Sequence, residues 1–395
     1  MRKVFITGIG VISAIGETVT ENRAALMNGK CGITKSTHLP TKYSGLLPFG
    51  EISISTEELK EKLKIRNDGV TRTTLLAATA FNEAVRDAQL SPSQLTSTDT
   101  AMVGATTVGG MCLTDELYRD AKQDFKNSPF LSSYDCASVF MYLQRIYHLN
   151  GIVNTINTAC SSSANVIMYG ARLIKNGFAK KAIVGGADSL SKFTINGFNA
   201  LHILSPEVCA PFDENRKGLN LGEGAAFLVL EREEDIGNKK VYAEVSGYCN
   251  TNDAFHPSSL SENGEGPYLA MKGALSSAQL KATEIDFINA HGTGTENNDE
   301  AESRAMIRLF DNQPAFASTK SNTGHTLGAS GAIEAVYSVL NLIFQEVYPG
   351  LHFKKAIADT GLEPVQSYRK SNLNHIMSNS FGFGGNCTSL IFSKP

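Results

Sequence analysis

Cys160 stands in Asn157-Thr158-Ala159-Cys160-Ser161-Ser162-Ser163, between the apolar run Ile152–Ile156 and a helix-length stretch, Ser163–Asn176. A thiol on a strand-to-helix turn meets the N-terminus of the helix, whose dipole and free N–H groups favour the thiolate and lower its pKa. The same N–H groups can hold an oxyanion as it develops on an acyl carbon. Nucleophilic acyl chemistry is the sharp reading, and a small buried cysteine is the plain one.

Two histidines share an unusual setting. His291 lies in Asn289-Ala290-His291-Gly292-Thr293-Gly294-Thr295, directly after an apolar run. Glycines there allow close backbone approach and leave an imidazole exposed at a strand's end. His325 lies in Lys320-Ser321-Asn322-Thr323-Gly324-His325-Thr326-Leu327-Gly328, again on a glycine-flanked turn before a helix. The other histidines, at 38, 148, 202, 256, 352 and 375, lack this context. Taken singly, either could be a structural histidine bonded to local backbone. No carboxylate or second thiol stands at ligand spacing beside the three, so no metal is expected. Near the end, Asn379-Ser380-Phe381-Gly382-Phe383-Gly384-Gly385 offers a flexible backbone with two phenylalanines. It suits the lining of an apolar channel and an N–H aimed at a reacting carbonyl. Gly8-x-Gly10-x-x-Ser13 lacks the third glycine of a dinucleotide loop and is read as a tight turn.

The elements that must position these residues are legible from periodicity. Buried strands are expected at Val4–Ile6, Ala101–Ala105, Ile152–Ile156, Ala182–Val184, Ala225–Leu230, Val241–Val245, Phe287–Ala290, Ile376–Ser378 and Ser389–Phe392. Helices are expected at Thr73–Gln89, Ser163–Asn176, Pro267–Ala278, Glu300–Phe310 and Ala332–Gln345. This alternation predicts an α/β architecture with buried sheets. A charge concentration at Glu231–Lys240 marks a junction near residue 238. Across it the halves echo one another faintly: a small-residue strand is followed by a glycine-, serine- and threonine-rich turn opening an alanine-rich helix. A pseudo-duplicated core is therefore expected.

The bulk numbers bound the rest. At 395 residues with 42% apolar and 19% charged content, the chain has the composition of ordinary globular proteins. A formal net charge of −3 gives no global attraction to nucleic acid or to an anionic membrane. Seven scattered cysteines without a C-x-x-C pair suggest neither a zinc cluster nor a disulfide framework, and fit a reducing cytoplasm. The stretch after Met1-Arg2-Lys3 is interrupted by Thr7, Gly8, Gly10 and Ser13, and reads as a strand entering a turn rather than a signal peptide. No uninterrupted apolar run approaches bilayer-spanning length.

Taken together, VFITGIGVISAIG, TACSSS, PFDENRKGLNLGEG (residues 211–224), AHGTGTENNDEAE, KSNTGHTLGASGAIEA and NSFGFGG give a chain that resembles, nearly end to end, the elongating two-histidine β-ketoacyl-acyl-carrier-protein synthases. The resemblance implies a thiolase-like five-layered αβαβα core of two similar halves, 1–238 with the cysteine and 239–395 with the histidines. It implies that Cys160 takes an acyl chain from an acyl carrier protein, with the Cys160 and Phe383 N–H groups as oxyanion hole. Malonyl-carrier protein then loses its carboxylate, and His291 and His325 hydrogen-bond the thioester oxygen. By the same likeness Lys320 and Glu334 form a charged pair beside the second histidine, orienting His325. Phe383 is a gating aromatic, and Thr293, Thr295 and Phe381 line the substrate site. The implied form is a homodimer, or a heterodimer with a chain-length factor, needing no cofactor.

Two departures stand out. Asn386-Cys387 follows the GFGG turn where the family often has Thr-Asn, and Gly218–Gly224 differs from the commoner version, as in synthases of polyene or polyketide pathways. Readings left open are a non-catalytic chain-length-factor subunit, a thiolase or coenzyme A-dependent acyltransferase with Cys387 as base, and a cysteine hydrolase. For an acidic carrier protein, Lys60, Lys62, Lys64, Arg66 and Arg72 are the candidate docking patch, against the plain reading of a solvated helix face.

Overall fold

The computed structural model describes residues 2–67, 69–123 and 128–395. Ten strands make one sheet among them: β1 (Val4–Ser13), β2 (Thr100–Ala105), β3 (Val153–Ile156), β4 (Lys181–Asp188), β5 (Gly224–Arg232), β6 (Ala243–Asn252), β7 (Phe287–Asn289), β8 (Ala315–Ala317), β9 (His375–Phe381) and β10 (Asn386–Ser393). Their order is β3-β2-β4-β5-β1-β6-β10-β9-β7-β8. Numbered within each set of five, both sets read third, second, fourth, fifth, first. In both, the first two junctions from the outer edge are parallel and the next two antiparallel. The halves meet edge to edge at Phe5↔Glu244 and Ile6↔Ala243, where the Tyr242 N–H also donates to the Ile6 carbonyl. The faint echo in the sequence is therefore a duplication of topology.

Helices place this sheet in layers. They are α1 (Thr56–Leu63), α2 (Arg72–Asp87), α3 (Ser138–Tyr147), α4 (Ser162–Lys175), α5 (Lys192–Ala200), α6 (Glu265–Ala278), α7 (Glu296–Leu309) and α8 (Ser330–Phe344). On the outer side of the first half, α2 covers β1, β5 and β4, with α3 beside it; α6 and α7 do the same for β6 and β10 in the second half. Between the two halves, α4 packs on β4 and β2, α8 packs on β5 and β9, and the two helices touch each other. The result is the expected αβαβα sandwich. Being enclosed between the two halves of the sheet, α8 is buried at every residue from Ser330 to Leu342, and a mostly apolar helix belongs in such a layer. The stretch Leu327–Phe344 is long and apolar enough to cross a membrane, but 89% of it is buried inside the protein.

One expectation fails. Gly8 and Gly10 form no tight turn; β1 runs unbroken through them to Ser13, with a register shift between Ile6 and Gly8. The glycines are there because α2 lies so close. A Cβ at Gly8 would stand 2.5 Å from the carbonyl oxygen of Ala84, and one at Gly10 would stand 2.2 Å from that of Ala80. The turn comes later, at Ser13–Gly16. Strand β8 and helices α3 and α5 were not foreseen. Three residues are too few for a periodic signal, and α3 and α5 interleave polar residues within their apolar stripes.

Candidate active site

The chain enters α4 through a strained turn. Ala159 has φ +53, a left-handed conformation costly for a residue with a side chain. Ser162 holds the turn by accepting from the Thr158 N–H at 2.8 Å and donating to the Ala159 carbonyl at 2.5 Å. Cys160 is thereby held just ahead of the helix, and it is buried. Burial pushes its thiol up to about 11; the nearby Lys320 charge and the Phe383 backbone N–H pull only partly against it. This corrects the expectation of a lowered pKa, because desolvation of the thiolate outweighs the favourable charges around it.

His291 follows β7. Its N–H and that of Gly292 donate to the Glu302 carboxylate at 2.9 and 2.8 Å, and Asp299 receives the N–H groups of Thr293 and Gly294. Both carboxylates stand on α7, one turn apart, and fix the loop that carries the histidine. Burial pushes the Glu302 carboxyl up to about 7, against those two N–H donors and Asn379.

His325 is held by the segment at 219–222. Its N–H donates to the Asn220 carbonyl at 2.7 Å, its carbonyl accepts from Gly222 at 2.9 Å, and Leu221 bridges it in parallel. The imidazole Nδ1 accepts the Leu327 N–H at 3.3 Å and lies 2.9 Å from Ser330 Oγ.

The two rings are 5.5 Å apart at 86°. Burial holds both well below the usual histidine range; the Lys320 charge adds to this for each, and His325 adds to it for His291. Both are therefore neutral. Each Nδ1 faces a donor, the ammonium of Lys320 for His291 at 3.3 Å and the Leu327 N–H for His325. Each ring proton therefore resides on Nε2.

The Lys320 ammonium finds its hydrogen-bond partners on His291 and Glu334, not on the His325 ring. It donates to the His291 carbonyl at 2.5 Å and pairs with Glu334 at 2.5 Å, all fully buried. The pair expected to orient the second histidine supports the first, because the turn at 320–323 places the lysine behind the His291 loop. Burial pushes the Glu334 carboxyl up to about 7 against the pull of Lys320.

Cys160, His291, His325, Thr293, Thr295, Phe381 and Phe383 line one cavity of about 450 Å³. Phe198 of α5 lines it too, stacked on Phe383 at 5.8 Å and 17°; no sequence motif pointed to it. The departure at Asn386 is accommodated. Its Oδ1 receives Ser161 Oγ, Asn165 Nδ2 and Asn250 Nδ2 at 2.7–2.8 Å, tying the 382–385 turn to the start of α4. Cys387 is buried among Phe381, Leu260, Ala270 and Ala301 and is absent from the cavity wall. Burial pushes its thiol well up, so it makes a poor base.

On the surface, Lys62, Lys64 and Arg66 are exposed and Lys60 is half-buried. Arg72 is a correction to the docking patch. Its guanidinium turns inward onto Glu223 at 2.6 Å and onto the carbonyls of Ile52 and Ile54, because the buried Glu223 carboxylate needs a counter-charge.

Comparison with known proteins places the chain in a family. Residues 1–236 match the model for the β-ketoacyl synthase N-terminal domain, and residues 242–354 match that for its C-terminal domain. The 3-oxoacyl-[acyl-carrier-protein] synthase 2 of Rhizobium meliloti is 35% identical over 100% of this chain and 99% of its own. The putative mitochondrial 3-oxoacyl-[acyl-carrier-protein] synthase of Schizosaccharomyces pombe is 33% identical with the same coverage. Among solved structures, a chain of the ishigamide ketosynthase/chain length factor superposes with a TM-score of 0.93 at 30% identity, covering 100% of this chain and 99% of that one. A chain of the Xenorhabdus doucetiae ketosynthase ApeO in complex with its chain length factor ApeC gives 0.87 at 29%, covering 100% and 98%.

Proposed function

The chain belongs to the β-ketoacyl synthase family, and we propose that this ketosynthase extends an acyl chain by two carbons through a thioester on Cys160, with malonyl-acyl carrier protein as extender. The observation that carries this reading is the convergence of one buried thiol and two neutral Nε2–H imidazoles on a single cavity.

In the first step the Cys160 sulfur attacks the thioester carbon of the acyl-carrier protein, and its proton leaves with the carrier's thiol. The oxyanion formed in passing is met by the N–H groups of Cys160 and Phe383. Malonyl-carrier protein then enters past Phe383, whose stacking on Phe198 is the contact its rotation would break. Loss of CO₂ leaves an electron pair delocalised onto the malonyl thioester oxygen. His291 and His325 donate from Nε2 to that oxygen, and neutral donors serve because they need not give up the proton. The enolate carbon attacks the acyl-Cys160 carbonyl, the new C–C bond forms, the C–S bond breaks, and Cys160 leaves as a thiolate that takes a proton from solvent to regenerate the thiol. Thr293, Thr295 and Phe381 shape the wall against which the carrier's arm lies.

In this reading residues 1–238 supply the nucleophile and 239–395 both histidines. A dimer, with itself or with a chain-length factor, is supported by the sheet edge at β3, which has no neighbour among the described residues. Exposed Leu131, Met141 and Ile152 lie on segments near it in sequence. A fatty acyl or polyene chain as substrate, and a cytoplasmic setting, belong to the same proposal. A non-catalytic subunit would not need Cys160, and a thiolase would need Cys387 at the cavity.

The test is intact-mass spectrometry after incubation with a panel of acyl-carrier proteins and then malonyl-carrier protein. An adduct on Cys160, followed by a β-ketoacyl product two carbons longer, is expected. No adduct from any acyl donor would end the proposal.

A further inference from the structure

His325 has a second set of partners on the side away from the cavity. Ser330 and Thr326 are each 2% exposed. Ser330 Oγ lies 2.9 Å from His325 Nδ1, and Thr326 Oγ1 lies 3.1 Å from Ser330 Oγ. The Leu327 N–H aims at the same Nδ1. An N–H can only donate, so Nδ1 is an acceptor, and the Ser330 hydroxyl must donate to it as well. Its oxygen is then free to accept from the Thr326 hydroxyl. The three groups form a directed chain, Thr326 O–H to Ser330 O–H to His325 Nδ1.

The position of Ser330 makes this more than local tidiness. It is the first residue of α8, one past the N-cap Ala329, and a hydroxyl so placed is free to bond nearby backbone. Here the N-cap, Ala329, makes no side-chain cap, and the Ser330 hydroxyl is given to the imidazole instead. The same backbone turn is fastened from the other half of the molecule, where Asp188 accepts the Gly328 N–H at 2.7 Å. Among the described residues, Ser330 Oγ and the Leu327 N–H are the hydrogen-bond partners of His325 Nδ1.

We propose that Ser330, backed by Thr326, is a positioning residue that locks His325 in its Nε2–H tautomer with that N–H turned into the cavity. This deepens the role given to His325 above and rests on it. With Nδ1 occupied by two donors, the ring proton has no second home, so the donor needed by the enolate is present in every turnover. Protonation of Nδ1 would also have to displace both donors, which opposes the imidazolium. The other titratable groups facing His325 are His291 and Cys160 across the cavity, Lys320 with its partner Glu334 behind His291, and Asp188 beneath Gly328.

The test separates the two half-reactions. In Ser330→Ala, a change that favours the helix, malonyl-carrier-protein decarboxylation should fall about five- to tenfold, as expected for one lost neutral hydrogen bond. Its acid limb should move to higher pH, because removing a donor from the neutral ring raises the histidine pKa. Acyl loading of Cys160, read by intact mass, should stay within about twofold. Thr326→Val should shift decarboxylation in the same direction by less. ¹⁵N spectra of labelled histidine should show His325 acquiring a mixture of tautomers in Ser330→Ala. Unchanged decarboxylation with an unmoved acid limb overturns the proposal, as does a parallel fall in loading and decarboxylation accompanied by a lower Tm. If instead the wild type neither loads nor extends, the reading of the whole site fails, and the ¹⁵N spectra still judge Ser330 by itself.

Discussion

Lys320 donates to the carbonyl oxygen of His291 at 2.5 Å and stands 3.3 Å from its Nδ1. A cation in that place does two things at once. It fixes the loop that carries the imidazole, and its charge opposes protonation of the ring. Lys320→Ala should therefore cost malonyl decarboxylation about 100-fold and move its acid limb to higher pH. The fold should survive, because the Glu334 carboxyl, already pushed up to about 7, can take a proton when its partner is gone. Steady-state decarboxylation across pH, with a denaturation curve beside it, checks this. Activity within a few-fold of wild type would leave Lys320 a structural ion-pair partner only.

Cys160 gives a prediction of opposite flavour. With burial holding the thiol at about 11, the resting protein should react slowly with iodoacetamide at pH 7. The rate should keep rising through pH 9, the ordinary thiol value, as the thiolate fraction grows. Stopped alkylation with mass readout at Cys160, against Cys160→Ala as blank, is the measurement. A rate that levels off near pH 7 would mean that the N-terminus of α4 outweighs desolvation.

The contrast explains what the sequence could and could not show. The three residues that meet at the cavity, Cys160, His291 and His325, were legible because each sits in a short turn rich in small residues beside a strongly periodic segment, and local chemistry of that kind survives in a linear string. The strand at 315–317 and the role of Gly8 and Gly10 were not, since three residues carry no period and glycine spacing does not reveal that α2 lies against them. Phe198, Asn220 and Ser330 were missed for another reason. Each meets its partner across the fold or around a turn, Phe198 on Phe383, Asn220 on the His325 N–H, Ser330 on its ring. Their types, an aromatic, an amide and a hydroxyl, are common enough to raise no signal. The partner of Lys320 is a related lesson: the family likeness pointed to His325, and the turn at 320–323 points the side chain to His291.

Glu346 is a structural anchor whose pH dependence can be signed. Its side chain is fully buried; burial pushes the carboxyl up, but Arg23, Lys370, Tyr368 and Tyr348 together outweigh it and hold it at about 2. A folded-state pKa depressed from 4.5 contributes stability that is present above pH 4.5 and lost as pH falls toward 2. The shift corresponds to about 2–3 kcal/mol once the exposure of Lys370 is allowed for. Glu346→Gln should be less stable by that amount at pH 7, and the two unfolding free energies should converge as the solution is acidified from pH 4.5. Urea titrations at a series of pH values test it, and a constant gap down to pH 3 would show that packing, not charge, is what Glu346 supplies.

The basic segment around α1 divides into two parts with different expected behaviour. Arg72 is committed to the buried Glu223, so Arg72→Ala strands a carboxylate in the interior and should cost about 3–5 kcal/mol. Lys62 is different: it pairs with Glu17 at 2.7 Å at the surface, with 60% of its side chain exposed, and an exposed pair of that kind is worth at most about 1 kcal/mol. Lys62→Glu with Lys64→Glu should therefore leave Tm nearly unchanged. If an acidic carrier protein docks here, the same double change should raise the apparent KM for acyl-carrier protein without lowering kcat. The effect should be largest at low ionic strength, where long-range attraction is least screened. Kinetics at two salt concentrations decide the matter. A KM that responds neither to the charge reversal nor to salt makes α1 a solvated helix face, and the carrier must then be sought at the cavity mouth around Lys217 and Phe198.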